Sequence, residues 1–260
     1  MTVNDDIKRC ARETGFTLAG IVSVRDAEGI EFPPGRGLKR PADVYPGALS
    51  FVVLGIVVAD EAQNTSVSIP GGYYPGLSEE QYFNFYYEIT ETRAWRLAHR
   101  LKEEFGLNSR PTHRVALKPA ASLAGLGHIG RSTLLITPDW GPRVRLVGLL
   151  VEQELSPDPP FARDLCAEQP LCREKPLCIA ACPYRAIAPG DSRGVPPGKK
   201  VNIERCVVYH VIDRQITKPW DRFIRRASER GFMECTLCNL ACPYGEGIEK
   251  KGIPPVPGAI

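Results

Sequence analysis

Cys235-Thr-Leu-Cys238-Asn-Leu-Ala-Cys242-Pro243 is the stretch that decides how the second half of this chain is built. A close cysteine pair, a third cysteine after three residues and a proline directly behind it form one half of the bacterial pattern for two [4Fe-4S] clusters. The C-x2-C turn aims two thiolates and several backbone amides at one cuboidal cluster. The Cys-Pro that follows starts a segment pointing away, so its sulfur reaches the other cluster. The same ending occurs upstream as Cys178-Ile-Ala-Ala-Cys182-Pro183-Tyr184, and both endings read Ala-Cys-Pro-Tyr, at 181–184 and 241–244. Two matching halves imply two clusters with crossed ligands. Crossing assigns Cys166, Cys172, Cys178 and Cys242 to one cluster, and Cys206, Cys235, Cys238 and Cys182 to the other. Zinc is the alternative for paired cysteines, but it has no need of the C-x3-C-P ending.

Around this core the cysteine count is itself informative. Eight of the nine cysteines lie between Cys166 and Cys242. An odd number with no export signal at the start of the chain fits a metal-binding protein of a reducing compartment better than a disulfide framework, so a cytoplasmic location is expected. Cys166, Cys172 and Cys178 recur every six residues in the repeat CAEQPL, CREKPL, CIAACP, with spacers longer than the two residues of a ferredoxin. Prolines from Pro157 to Pro197 forbid long regular structure here, although Asp221 to Arg230 reads as a helix with an arginine-rich face. Cys10, far upstream, reads as a small buried apolar residue.

The chain therefore divides into residues 1–155, ordinary α/β material, and residues 156–260, a ferredoxin-like module for two [4Fe-4S] clusters; the fold class is α+β. In the first part Asp5 to Gly15 reads as a helix burying Ile7, Cys10 and Ala11. Phe16–Val24, Leu49–Val58, Leu134–Thr137 and Val144–Glu152 read as strands, with a short one at Arg114–Ala116. Thr65–Leu77 reads as a loop rich in Gly, Pro and Tyr. Ser78 reads as the N-cap of a helix reaching Phe105, with an apolar face of Tyr82, Tyr86, Ile89, Leu97, Leu101 and Phe105. The longest apolar run, Ala48–Ala59, is twelve residues, too short to span a bilayer. A net charge of +3 gives no electrostatic case for nucleic acid.

Gly125, Gly127 and Gly130 match G-x-G-x-x-G within Leu123-Ala-Gly-Leu-Gly-His-Ile-Gly-Arg-Ser-Thr-Leu-Leu-Ile136. The preceding Leu117–Leu123 is no convincing strand, and no acidic residue ends a second strand some twenty positions on. A dinucleotide site is disfavoured on both counts.

This glycine motif, with Gly141-Pro-Arg143-Val-Arg145 behind it, two Cys-Pro cluster halves, Ile7-Lys to Gly15-Phe16 and Pro46-Gly-Ala-Leu-Ser50, resembles the epoxyqueuosine reductase and reductive dehalogenase superfamily. The resemblance covers nearly the whole chain. It implies a nitroreductase-like, cobalamin-binding α/β domain fed electrons by two [4Fe-4S] clusters, the cobalamin base-off. The function so implied is a cytoplasmic iron–sulfur reductase acting on a small or nucleoside-type substrate and supplied by an external donor of ferredoxin or flavodoxin type. A non-catalytic protein that reduces the corrinoid of a partner is the alternative, and flavin use of the same framework a third. Epoxyqueuosine reductases carry an acidic proton donor just before the glycine motif, whereas Pro111–Ser122 here has no Asp or Glu. His113 stands in its place, and His128 stands where those enzymes have an aromatic residue. His113, His128 and Tyr86 are thus the catalytic candidates, with Tyr73, Tyr74 and Tyr87 as further phenols. Gly125, Gly127, His128, Gly130, Arg131, Ser132, Arg143 and Arg145 are the candidates for holding the cofactor. Its pocket is expected between the Gly125–Ser132 turn and the segments around Tyr73 and Tyr86.

Overall fold

A computed structural model of the chain describes residues 2–32, 37–58, 65–69, 81–188, 200–206, 225–226, 231–233 and 235–245. Helix α1 (Val3–Glu13) opens on a capping box in which Thr2 accepts from the Asp5 amide while the Asp5 carboxylate accepts from the Thr2 amide. It buries Ile7, Cys10 and Ala11, the side the sequence indicates. Strand β1 (Leu18–Ser23) leads through the short helices α2 (Val24–Glu28) and α3 (Pro41–Val44) to β2 (Ser50–Val57). Every residue of β2 is buried, because both faces of its sheet are covered. Val52, Leu54 and Ile56 point to the side packed with residues of α1, and Phe51 and Val53 to the opposite side.

Strands β3 (Thr65–Ile69) and β4 (Gln81–Asn84) precede the long helix α4 (Phe85–Phe105), and β5 (Ser109–Thr112) and α5 (Leu117–Leu123) follow it. A two-residue hairpin, β6 (His128–Ile129) and β7 (Leu135–Ile136), carries the glycine motif into β8 (Val144–Val151). The main sheet has the order β1-β2-β8-β5, with all neighbours antiparallel. Ala94, Leu97 and Leu101 of α4 pack on the face shared with α1, and Ala120 and Ala121 of α5 on the other.

Four local expectations are corrected. Gln81–Asn84 is a strand, and α4 starts later, where the Asn84 side chain accepts from the Tyr86 amide; Tyr82 therefore leaves the helical stripe. Ser78, Tyr73 and Tyr74 lie outside the described residues. Thr65–Ile69, read as loop, is a strand, in keeping with its period-two Thr-Ser-Val-Ser-Ile pattern. The strand placed at Arg114–Ala116 lies at Ser109–Thr112, on the sheet edge, where Pro111 costs little because the edge needs fewer amide donors. Arg225–Arg226, within the expected helix at 221–230, is a strand, β9. It pairs with β10 (Gly231–Met233), and the second sheet runs β4-β3-β10-β9. The two halves of the chain thus share a sheet. Among the described residues no helix is long and apolar enough to cross a membrane.

Candidate metal centre

The six-residue cysteine repeat folds as three single-turn helices, α6 (Leu165–Glu168), α7 (Pro170–Arg173) and α8 (Leu177–Ala180). Asp164 caps α6 by accepting from the Ala167 amide, and Gln169 caps α7 by accepting from the Leu171 amide. Pro170 occupies the first turn of α7 and Pro176 stands directly before α8. Each turn presents one cysteine. The long spacers are therefore single helical turns, one for each of Cys166, Cys172 and Cys178. Downstream, α9 (Leu237–Leu240) carries Cys238 and packs against α8.

The cysteines of the two halves lie near one another. Burial, with Cys166, Cys172 and Cys242 nearby, pushes the Cys178 thiol up to about 12. Burial, then Cys235, Cys206, Cys178 and Cys182, pushes Cys238 up to about 12. Cys242 is pushed up to about 11 by burial, against a hydrogen bond from the Tyr244 amide, with Cys166 and Cys172 adding to the rise. Cys166, Cys172 and Cys242 thus lie near Cys178, and Cys235, Cys206, Cys178 and Cys182 lie near Cys238. Backbone donors reach the sulfurs: the Ala186 amide lies 3.4 Å from Cys182 Sγ, and the Arg131 amide opposes the effect of burial on Cys166.

Clustered thiols, with Cys178, Cys238 and Cys242 pushed up by burial, suit a cationic metal centre, which offsets both burial and mutual repulsion. Among the described residues, His128, Asp164 and Cys166 form a set of three potential ligands whose atoms lie within 4.8 Å of one another.

The cluster half is fixed to the main sheet through the turn before β8. Asn239 Nδ2 donates to the Pro142 carbonyl at 3.1 Å, and the Arg143 guanidinium donates to the Gly245 carbonyl. Gly141 and Gly245, at φ +56° and +79°, meet backbone to backbone. A Cβ on Gly245 would lie 2.5 Å from the Trp140 carbonyl, and one on Gly141 would collide with that of Tyr244.

The glycine motif serves chain packing. A Cβ on Gly125 would lie 2.6 Å from the Pro159 carbonyl, one on Gly127 would strike the Ile136 carbonyl, and one on Gly130 would strike the Ile136 side chain and lie 3.4 Å from Cys166 Sγ. The segment before it is helix α5, so the strand a dinucleotide fold requires is absent there. Ser132 is buried. His128 Nε2 lies 3.2 Å from Asp164 Oδ1; burial pushes the imidazole pKa down and Asp164 pulls it back up.

His113 and Tyr86 come together elsewhere, at the start of α4. His113 Nε2 lies 3.0 Å from Thr90 Oγ1, its ring meets Tyr87 edge-on at 4.8 Å, and its Nδ1 is 3.9 Å from Glu91. Burial lowers the His113 pKa and Glu91 opposes this. Tyr86 lies 4.4 Å from Tyr87, and the Arg145 guanidinium sits 4.8 Å from the Tyr86 ring centre. The structure thus divides the three catalytic candidates between two places, with His128 beside Cys166. Sequence reasoning missed Asp164, Glu91, Thr90 and Asn239. Asp164 had a signal, an Asp standing directly before a helical turn; Glu91 reaches His113 only through the packing of α4 on β5.

No family model matches the chain. Epoxyqueuosine reductase from Vibrio cholerae is 27% identical over 92% of this chain and 66% of its own length, and that from Pseudomonas aeruginosa is 27% identical over 95% and 70%. The chain thus spans about two thirds of the length of these relatives. Among solved structures, epoxyqueuosine reductase from Streptococcus thermophilus superposes with a TM-score of 0.64 at 17% identity, covering 95% of this chain and 67% of that one. A catabolic reductive dehalogenase gives 0.57 at 20% identity, covering 92% and 31%. The resemblance to this superfamily read from the sequence is borne out, and the fold is of the same mixed α/β kind.

Proposed function

We propose that the chain is an oxidoreductase in which two [4Fe-4S] clusters relay single electrons to a bound corrinoid, for reductive chemistry on a small or nucleoside-type substrate. One observation supports the electron-relay part: Cys178 has Cys166, Cys172 and Cys242 near it, and Cys238 has Cys235, Cys206, Cys178 and Cys182 near it. Cys166, Cys172, Cys178 and Cys242 would hold the cluster nearer the glycine motif, since Gly130 and the Arg131 amide contact Cys166. Cys206, Cys235, Cys238 and Cys182 would hold the second. The adjacency of Cys178 and Cys238 supports electron passage between the two. An external donor of ferredoxin or flavodoxin type would supply the electrons.

For the corrinoid the fit is narrower. Gly125, Gly127 and Gly130 are taken up by close chain packing and Arg143 by Gly245, so these residues do not by themselves build a cradle. Support comes from the likeness to epoxyqueuosine reductases and to a solved reductive dehalogenase whose structure suggests a mechanism for B12-dependent dehalogenation. When bound, a corrinoid supplies a low-valent cobalt that needs electrons of low potential, and clusters reach roughly −700 mV. In this reading His113, set between Thr90 and Glu91, serves the substrate as the proton donor, together with Tyr86 beside Arg145. The experiment is cobalamin binding to anaerobically reconstituted protein, read by visible spectrum after acid extraction. A corrinoid spectrum at micromolar cobalamin supports the reading. A protein with both clusters and no corrinoid replaces it with the electron-carrier reading, in which a partner holds the corrinoid.

A further inference from the structure

His128 and Asp164 are used neither by the cysteine groups nor by the Tyr86–His113 cluster, yet they stand at the sulfur of one proposed ligand. His128 Nε2, Asp164 Oδ1 and Cys166 Sγ lie within 4.8 Å of one another. The carboxylate is fixed from two sides. Its Oδ1 accepts from the Ala167 amide at 3.0 Å as the cap of α6, and His128 Nε2 lies 3.2 Å away on the β6 hairpin. Both residues are partly buried, with side chains 24% and 31% exposed, so the charge is only partly screened by water. Neither a cap nor a turn requires an acid–imidazole pair at this place, since Asn caps a helix as well as Asp.

We infer that Asp164, positioned by His128, lowers the reduction potential of the cluster ligated by Cys166 by holding a negative charge beside that sulfur. The inference rests on the proposal that Cys166 is a cluster ligand. The physical reason is elementary: an electron entering a cluster next to a fixed anion meets repulsion that a neutral neighbour would not exert, and net charge and hydrogen bonding around the sulfurs set cluster potentials. The effect is local, because Asp164 adjoins Cys166 and not the group around Cys238. It makes the cluster that adjoins the glycine motif the stronger one-electron reductant. His128 is a positioning residue: its N–H keeps the carboxylate turned toward the sulfur and away from solvent.

The test is a dithionite titration of the anaerobically reconstituted full chain, followed by the paramagnetic resonance of the reduced clusters. Asp164→Asn keeps the cap and removes the charge. It should favour reduction of one cluster at least tenfold, about 59 mV for a one-electron couple, and leave the other unmoved. His128→Phe should shift the same cluster in the same direction, and His128→Gln, which retains an N–H donor, should restore the wild-type midpoint. Unchanged midpoints in Asp164→Asn, or an equal shift of both clusters, would overturn the inference while leaving the cluster reading intact. A single metal ion beyond the clusters, lost on Asp164→Asn, would also overturn it, because the three residues would then form a mononuclear site. Retention of both clusters in Cys166→Ala would show that the ligand assignment itself is wrong.

Discussion

Replacing Gly141 with Ala should release the cluster half from the main sheet. Gly141 has φ +56° and its missing Cβ points at the Tyr244 carbonyl. The left-handed backbone costs about 1 kcal/mol for a residue with a Cβ, and the overpacking roughly 1–3 kcal/mol more, since the obstacle is backbone and cannot rotate away. The hydrogen bonds from Asn239 to Pro142 and from Arg143 to Gly245 break on opening in both proteins and so add nothing to the difference. A local destabilisation of about 3 kcal/mol is a large share of the roughly 5–15 kcal/mol that stabilises a domain. Hydrogen exchange resolved by segment reads it directly: protection at 137–143 and 239–245 should fall about a hundredfold, while the β2–β8 pairing keeps its protection. Gly106→Ala supplies the control, because Gly106 also has positive φ, +69°, but open space where its Cβ would go. Protection in Gly141→Ala within about threefold of that in Gly106→Ala would refute the argument from contact.

Other outcomes follow from the same geometry. Cys10 is fully buried against the α1–α4 core and far in sequence from the eight clustered cysteines, so Cys10→Ala should cost about 1 kcal/mol in urea unfolding and leave bound iron unchanged; iron loss would make Cys10 a ligand. The pKa of His113 is lowered by burial below its ordinary value of 6.5, so the unfolded chain takes up its proton first on acidification. Its contribution is complete above that value and is lost as pH falls from 6.5 toward the folded-state pKa. His113→Gln should therefore flatten the acid limb of stability against pH, and an unaltered limb would contradict this. If His113 also delivers the proton, His113→Ala should retain its clusters and lose turnover, whereas full turnover would move that role elsewhere.

The sheet was legible because its strands are written in β-branched runs. Leu49–Val58 and Val144–Glu152 differ from the observed strands by no more than a residue at each end, and Ile7, Cys10 and Ala11 mark the buried side of α1. Boundaries failed where local signals competed. Ser78 with two following glutamates is a plausible cap, but Asn84 wins it because pairing with β3 holds 81–84 extended. The crossed cysteine partition was read from the repeated Ala-Cys-Pro-Tyr ending. The roles expected of the glycines and of Arg143 were not, because the sequence does not show that Ile136, Pro159 and Gly245 fold back onto them. The same limit hid Asp164 and Glu91, whose partners His128 and His113 arrive from distant elements.

Crossed ligation is the central claim, and one comparison tests it. Iron, acid-labile sulfide and the resonance of the reduced clusters would be measured on anaerobically reconstituted Cys178→Ala, Cys242→Ala and Cys238→Ala. Wild-type protein should hold about eight iron and about eight sulfide. Cys242→Ala should lose the same signal as Cys178→Ala and keep the one that Cys238→Ala loses, although Cys242 follows Cys238 by only four residues. A Cys242→Ala protein matching Cys238→Ala instead, or wild-type protein holding zinc without sulfide, would contradict the account.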